Sequence, residues 1–257
     1  MKPLRLIDQA ESLRSCCDIE GLMAWFPDRW GGVSEPPFAT LNLGFSTGDD
    51  PDAVRENRHR LLTEAGIPLE QLVVPGQIHG AEVGRVSRRD GGEGATEPSR
   101  VLAAKDVLIL DEPGVYVLSL SADCPLVAIA DPHSRRAGIA HCGWRGTVAG
   151  ALPHLIEELE PGPRSVAMVS PAISRAHYPV EKEVSTPIRA LPGGQEACRD
   201  GALDLRIVLL SQLHDGGFDN DRIAMDRRCS AENPDLFSHR GDGGRTGRGG
   251  FLLGWNC

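Results

Sequence analysis

Short, nearly continuous apolar runs separated by Gly- and Pro-rich turns, with helical patterns scattered irregularly among them, predict an α+β protein. No internal repeat and no interior linker breaks the chain, so residues 1–257 read as one domain. Hydrophobic residues at 40% and charged residues at 25% are the values of a soluble globular protein, not of a disordered one.

The elements follow from local pattern. Residues 21–26 (GLMAWF) read as a first strand, followed by a Gly/Pro-rich loop to Pro37 and a second strand over 38–45. Asp50 is placed to cap a helix with Pro51 at its first position. Val54, Leu61, Leu62 and Ala65 share a face of that helix, and Gly66 and Pro68 stop it. Residues 72–74 form a short strand that leads into Pro75-Gly-Gln-Ile-His-Gly80, and 81–86 continue extended. Gly80 lets backbone come close to whatever the His79 imidazole holds. Residues 87–100, charged and glycine-rich without apolar period, read as an exposed, mobile loop. Strands over 106–110 and 115–120 are joined by a turn in which Pro113 and Gly114 suit the two central positions of type II. Residues 126–130 and 137–140 supply two more strands, apolar enough to be covered on both faces. A helix over 147–159 presents Val148, Leu152, Leu155, Ile156 and Leu159, and a strand follows at 165–169. A second helix over 203–214 buries Leu205, Val208, Leu209 and Leu213 and ends at Gly216-Gly217. Late strands at 223–225 and 251–253 bracket a polar, glycine-rich stretch over 237–248.

A net charge of −9 with no Lys/Arg block argues against nucleic acid as a partner, while a few arginines suffice for a phosphate-bearing small molecule. The N-terminus has no apolar signal core, and no window approaches the roughly 18 uninterrupted apolar residues of a membrane span. A cytoplasmic protein with no membrane partner is the expectation. Seven cysteines (Cys16, Cys17, Cys124, Cys142, Cys198, Cys229 and Cys257), odd in number and irregularly spaced, then read as free thiols or metal ligands, not as a disulfide framework.

The chemistry concentrates in 118–147, where Asp123-Cys124-Pro125 and His141 each stand at the end of a short apolar run. Cys124, His141 and the earlier His79 lack compact zinc-finger spacing, so spacing alone argues weakly for metal. If they converge, they make an N/N/S site with an open fourth position, where zinc brings the pKa of bound water to about 7. Two other readings stay open. Cys124 would be a nucleophile with His141 as its base and Gly143 or Gly146 amides as oxyanion donors, or the trio would hold copper, although the chain has no H-x-H pair. A non-enzymatic, metal-stabilised binding module would use the same ligands without the vacancy.

Gly32-Val-Ser34, Leu41-Asn-Leu-Gly44 with GDDPDAVRENR (48–58), Gln77-Ile-His-Gly80, Ala122-Asp-Cys-Pro125, His141-Cys-Gly-Trp-Arg-Gly146, and Ser238-His-Arg-Gly with Thr246-Gly-Arg248 resemble the bacterial YfiH family. That family, long labelled polyphenol oxidase or laccase, is described as purine nucleoside phosphorylases related to the human laccase-domain protein FAMIN, and some members as peptidoglycan editing factors. The resemblance runs along nearly the whole chain. It implies an α+β fold shared with the catalytic domain of a cytotoxic necrotizing factor, and a zinc site formed by His79, Cys124 and His141. It also implies phosphorolysis of adenosine, inosine, guanosine and methylthioadenosine, with adenosine deamination, in a monomer. The chain departs from the family pattern at Cys142, at His239, and at Ser170-Pro171 with His177.

Phosphorolysis needs phosphate beside C1' of the ribose, and the guanidinium fork matches two phosphate oxygens at once. Arg145 is the first choice for that task, with Arg240 and Arg248 next. Asn42 and Gln77 carry amides that suit ribose hydroxyls or a purine edge, although Asn42 equally suits a turn. Deamination would need a nearby acid. Asp123 is adjacent to Cys124, but strand neighbours point to opposite faces, so its role stays open between that acid and a carboxylate that orients a metal-bound His.

Overall fold

The structure, a computed structural model, describes residues 7–9, 13–15, 19–99 and 102–257. Cys16 and Cys17, read above as free thiols or metal ligands, lie outside the described residues, as does residue 100 of the expected loop. The strands are β1 (Ile7–Gln9), β2 (Leu13–Ser15), β3 (Leu22–Pro27), β4 (Leu72–Val73), β5 (Val83–Val86), β6 (Val107–Leu110), β7 (Tyr116–Ser121), β8 (Leu126–Asp131), β9 (Arg136–His141), β10 (Val166–Val169), β11 (Cys198–Arg199), β12 (Ala202–Leu203), β13 (Ile223–Met225) and β14 (Gly249–Trp255). The helices are α1 (Pro51–Ala65), α2 (Trp144–Ala149), α3 (Ala151–Leu159), α4 (Lys182–Arg189), α5 (Gly194–Ala197) and α6 (Leu205–Asp215).

Two six-stranded mixed sheets carry the molecule, ordered β1-β2-β3-β14-β7-β4 and β13-β10-β8-β9-β6-β5. Side chains alternate across a strand, so each strand feeds two layers. Ala24, Phe26, Val117, Phe251, Leu253 and Trp255 of the first sheet meet Leu108, Leu110, Ala128, Ala130, Ile139 and Met168 of the second in one buried core. The opposite face of the first sheet, with Tyr116, Leu118 and Leu252, packs on Leu61 and Leu62 of α1. The opposite face of the second, with Ile109, Val127, Ile129 and Val169, packs on Leu152 and Leu155 of α3 and on Leu209 and Leu213 of α6. The result is four layers, helix, sheet, sheet and helix, in agreement with the α+β expectation and with strands buried on both faces. A satellite of α4, α5 and the β11–β12 hairpin closes over Leu205 and Val208.

Several local expectations change. Residues 38–45 form no strand: Phe45 opens a 3-10 turn, and the backbone of 40–43 is held by Arg29 O, Arg248 O and side chains instead of a ladder. Asn57 donates to Thr40 O and Asn42 O, and Arg58 donates to Leu43 O. Residues 87–99 are not a detached loop: Arg88–Asp90 form a 3-10 turn with a capping box, and Ala95 is buried. Gly92 N donates to Leu72 O and Val74 N to Glu93 O, while Arg58 donates to Gly94 O and Ala95 O. The expected helix over 147–159 is two helices, broken where Gly150 takes φ +89° and ends α2.

Candidate metal centre and cavity

Strand directions gather the chemistry at one end of the second sheet. β5 runs parallel to β6, β6 antiparallel to β9, and β9 antiparallel to β8 with Leu126 opposite His141. Residues just before β5, β6 and β8 therefore meet the last residue of β9, which brings together His79, Asp106, Cys124 and His141. One ligand atom from each of His79, Cys124 and His141 lies within 4.8 Å of the others. The two imidazoles meet edge to face with centroids 4.8 Å apart. His141 is buried, Cys124 half-buried and His79 exposed, so the trio opens to solvent on the His79 side.

Asp106 organises the trio, and the sequence reading passed over it as the first residue of an apolar run. Its carboxylate accepts Ile78 N at 3.0 Å, His79 N at 3.0 Å and Gly80 N at 2.8 Å, and it lies 2.8 Å from His141 Nδ1. Burial pushes the Asp106 carboxyl up, but the bonds from His141, Ile78 and Gly80 outweigh it and hold the group below its ordinary value. An ionised carboxylate only accepts, so Nδ1 carries a proton toward it and Nε2 faces the centre. Burial also pushes the Cys124 thiol up, yet His141 and then His79 overcome this and bring it down to about 6. Burial lowers His141, while Asp106 and Cys124 raise it, to about 9. A thiolate and two imidazoles form a donor set that fits a borderline divalent ion such as zinc or copper.

Close backbone approach makes the geometry possible. A Cβ on Gly143 would stand 3.0 Å from Cys124 Sγ and 3.0 Å from His79 Cδ2. Cys142 points the other way, into the core between sheet and helix, and burial pushes its thiol up. Asp123, at φ +94°, also turns away from the trio. It accepts Ser230 Oγ and Ser238 Oγ at 2.6 Å each and Arg240 N at 2.7 Å, which ties the 229–241 region to the site. The carboxylate that orients a histidine is thus Asp106, not Asp123.

The trio lines a cavity of about 520 Å³ whose walls include Phe45, Gln77, Trp144, Arg145, Tyr178, His239, Arg240 and Arg248. Arg145 stacks on Trp144 at 4.3 Å and reaches Glu183 at 3.7 Å. Arg240 lies over Tyr178 at 5.4 Å. Arg248 is held by its own loop, Nη1 donating to Thr246 O and Gly247 O. Arg58, which sequence reasoning left as a helix residue, also lines the cavity from beneath Phe45. Gln77 lines it as well, but its amide is engaged with Leu120: Nε2 donates to Leu120 O and Leu120 N donates to Oε1. Asn42 is fully buried away from the cavity wall. Its Oδ1 accepts Gly44 N and Arg248 N, and its Nδ2 donates to Thr47 Oγ1 and Asp49 Oδ2. Asn42 therefore positions Arg248, and its amide does not face the space a substrate would fill. Among the described residues no helix is long and apolar enough to cross a membrane.

Fold and site together define an α+β protein with one open His/Cys/His centre at the floor of a basic and aromatic cavity. Residues 23–256 match the family described as multi-copper polyphenol oxidoreductase laccase, and the chain belongs to that family, which includes the YfiH and YlmD proteins. It is 36% identical over 242 residues to purine nucleoside phosphorylase YlmD of Geobacillus stearothermophilus, covering 89% of this chain and 88% of the relative. It is 34% identical to the YlmD of Bacillus subtilis, with 88% and 86% covered. The crystal structure of the Geobacillus stearothermophilus YlmD superposes with a TM-score of 0.91 at 32% identity over 99% of this chain and 100% of that one.

Proposed function

We propose that the protein is a zinc-dependent purine nucleoside phosphorylase for adenosine, inosine, guanosine and methylthioadenosine. The observation that carries this reading is the convergence of a thiolate and two imidazoles on a cavity that also presents arginines and aromatic faces. The curated relatives named purine nucleoside phosphorylase, at 34–36% identity, support it.

In phosphorolysis a phosphate oxygen forms a bond to C1' of the ribose, and the purine leaves with the electron pair of the C1'–N9 bond. Arg145, Arg240 and Arg248 would hold phosphate oxygens by charge-assisted pairs. Trp144 and Tyr178 offer faces for the purine ring. Zinc bound by His79, Cys124 and His141 would supply a Lewis acid for an oxygen of the reactants. Asp106 would keep His141 with its Nε2 toward the centre. Adenosine deamination, the companion activity the resemblance implies, needs a free acid. Asp106 and Asp123 both hold hydrogen-bond donors of the fold, so phosphorolysis is the reading the geometry supports better.

Incubation with adenosine is the test. Adenine and ribose 1-phosphate, formed only with phosphate present, are expected. Inosine without phosphate would assign deamination, and intact nucleoside beside copper-dependent catechol oxidation would revive the oxidase reading. Cys124→Ala should lose the zinc of this centre together with phosphorolysis.

A second reading rests on the line Cys124–His141–Asp106, the arrangement of a thiol nucleophile, its base and an orienting carboxylate. It would make the protein a Cys-His hydrolase of peptidoglycan precursors. A metal-free preparation that stays active and is silenced by a thiol alkylating agent would establish it. It assigns His79 no task.

A further inference from the structure

Among the described residues a second cluster has the composition of a metal site: His177, Cys229 and Glu232 each offer a ligand atom within 4.8 Å of the others. His177 Nε2 lies 2.7 Å from Glu232 Oε1. Ser174 N donates to Cys229 Sγ at 3.3 Å, a bond that favours the thiolate a cation needs. Cys229 is buried, whereas His177 and Glu232 reach the surface, so an ion can enter from solvent and meet sulfur at the bottom.

The backbone holds this arrangement before any ion arrives. Ala172 and Cys229 form an isolated parallel bridge, and Ser230 N donates to Ala172 O at 3.1 Å. Asn233 N and Glu232 N both turn back to Cys229 O, which puts the Cys229 and Glu232 side chains on one side of a turn. His177 ends the 3-10 turn Arg175–His177 that begins at Ser174. Ligand atoms on a tetrahedral zinc stand roughly 3.5 Å apart, given bonds of about 2.0–2.3 Å. The cluster therefore needs only small side-chain shifts, with the ion taking the place of the His177–Glu232 contact.

We propose that His177, Cys229 and Glu232 form a second divalent-cation site, of zinc-type N/S/O chemistry, that clamps the 174–177 turn to the 229–232 turn. None of the three lines the catalytic cavity, so the site is separate from the first. Its two turns nevertheless border that cavity. Ile173 and Tyr178 flank the first turn and line the cavity wall, and Ser230 of the second holds Asp123, next to Cys124. A filled second site would thus hold the cavity wall in place from behind.

The test is metal stoichiometry on the full chain, with zinc alone as the probe. Metal-stripped wild type should take up two equivalents. His177→Ala and Glu232→Gln, both surface changes, should take up one, and Cys124→Ser should take up one through the second site. With cobalt, Cys124→Ser should show a thiolate-to-metal charge-transfer band, and adding His177→Ala should weaken cobalt binding at least tenfold and remove the band at matched concentration. A single equivalent in wild type that Cys124→Ser abolishes, or an uptake that His177→Ala leaves unchanged, would overturn the proposal. So would a band in Cys124→Ser that His177→Ala leaves unchanged.

Discussion

Asp106 accepts three consecutive backbone amides and the ring of His141 with a single buried carboxylate, so both histidines of the trio take their places from one side chain. Asp106→Asn keeps the shape but turns an NH2 group toward donors. Loss of a carboxylate behind a metal-bound imidazole weakens metal affinity by about 10–100-fold. A zinc titration should read that loss while circular dichroism stays native. Gly143→Ala tests a different contact. Its Cβ would be 3.0 Å from both Cys124 Sγ and His79 Cδ2, and neither can retreat without leaving the centre. Zinc affinity should fall, whereas Gly48→Ser, with nothing within 4 Å but at φ +86°, should cost stability at its turn and leave zinc affinity unchanged. The two parts of this arrangement differed in how they could be read. Cys124, His79 and His141 stand out in the sequence because thiols and imidazoles are few, and Cys124 and His141 each end a short apolar run. Asp106 does not, because an aspartate before an apolar run looks like any strand boundary until the partners of its oxygens are known. Asn42 and Gln77 show the converse, since an amide signals hydrogen bonding without saying whether the partner is a ligand or the fold.

Among the elements, those with a complete local pattern came out as read. α1 has its cap, proline and glycine stop, with Asp50 accepting Asp52 N and Gly66 in the left-handed region. β8 and β9 were legible because burial on both faces demands unbroken apolar runs. The stretch 38–45 misled because its backbone is satisfied by Asn57, Arg58, Arg29 and Arg248, elsewhere along the chain, and not by a neighbouring strand. The β8–β9 hairpin also carries a pH dependence. Asp131 closes it by accepting His133 N at 2.8 Å and Ser134 Oγ at 3.0 Å. Burial pushes the carboxyl up, but these bonds win and hold it below its ordinary 3.8. A carboxylate with a depressed folded pKa contributes stability that is full above the unfolded value and disappears as pH falls through the folded one. Asp131→Asn should therefore lower the urea midpoint at pH 7, and the gap to wild type should narrow below about pH 3.8. A gap that stays constant down to the acid limit would show that the turn depends on shape and not on the charge.

For the molecule as a whole, the last strand is the one on which both the core and the cavity depend. β14 lies between β3 and β7 and pairs antiparallel with both, so the first sheet is continuous only through it. Its Phe251, Leu253 and Trp255 enter the core between the sheets, while Leu252 faces the layer under α1. The strand also begins directly after Arg248, whose amide is held by Asn42, and its partner β7 carries Leu120, which holds Gln77. Disturbing β14 should consequently loosen one wall of the cavity more than the trio, whose His141 and its partner Asp106 stand at one end of the second sheet, while Ser121 of β7 reaches only the carbonyl of Cys124. Phe251 is fully buried and packs edge to face on Phe26 at 6.4 Å. Truncating a buried phenylalanine to alanine costs about 3–5 kcal/mol, a large share of the roughly 5–15 kcal/mol that keeps a domain folded. Phe251→Ala should shift the urea midpoint strongly downward. Where the variant remains folded, it should weaken phosphate and nucleoside binding, measured as KM, more than zinc binding. Equal losses of zinc and substrate affinity would mean that the two sheets do not support the two halves of the site separately.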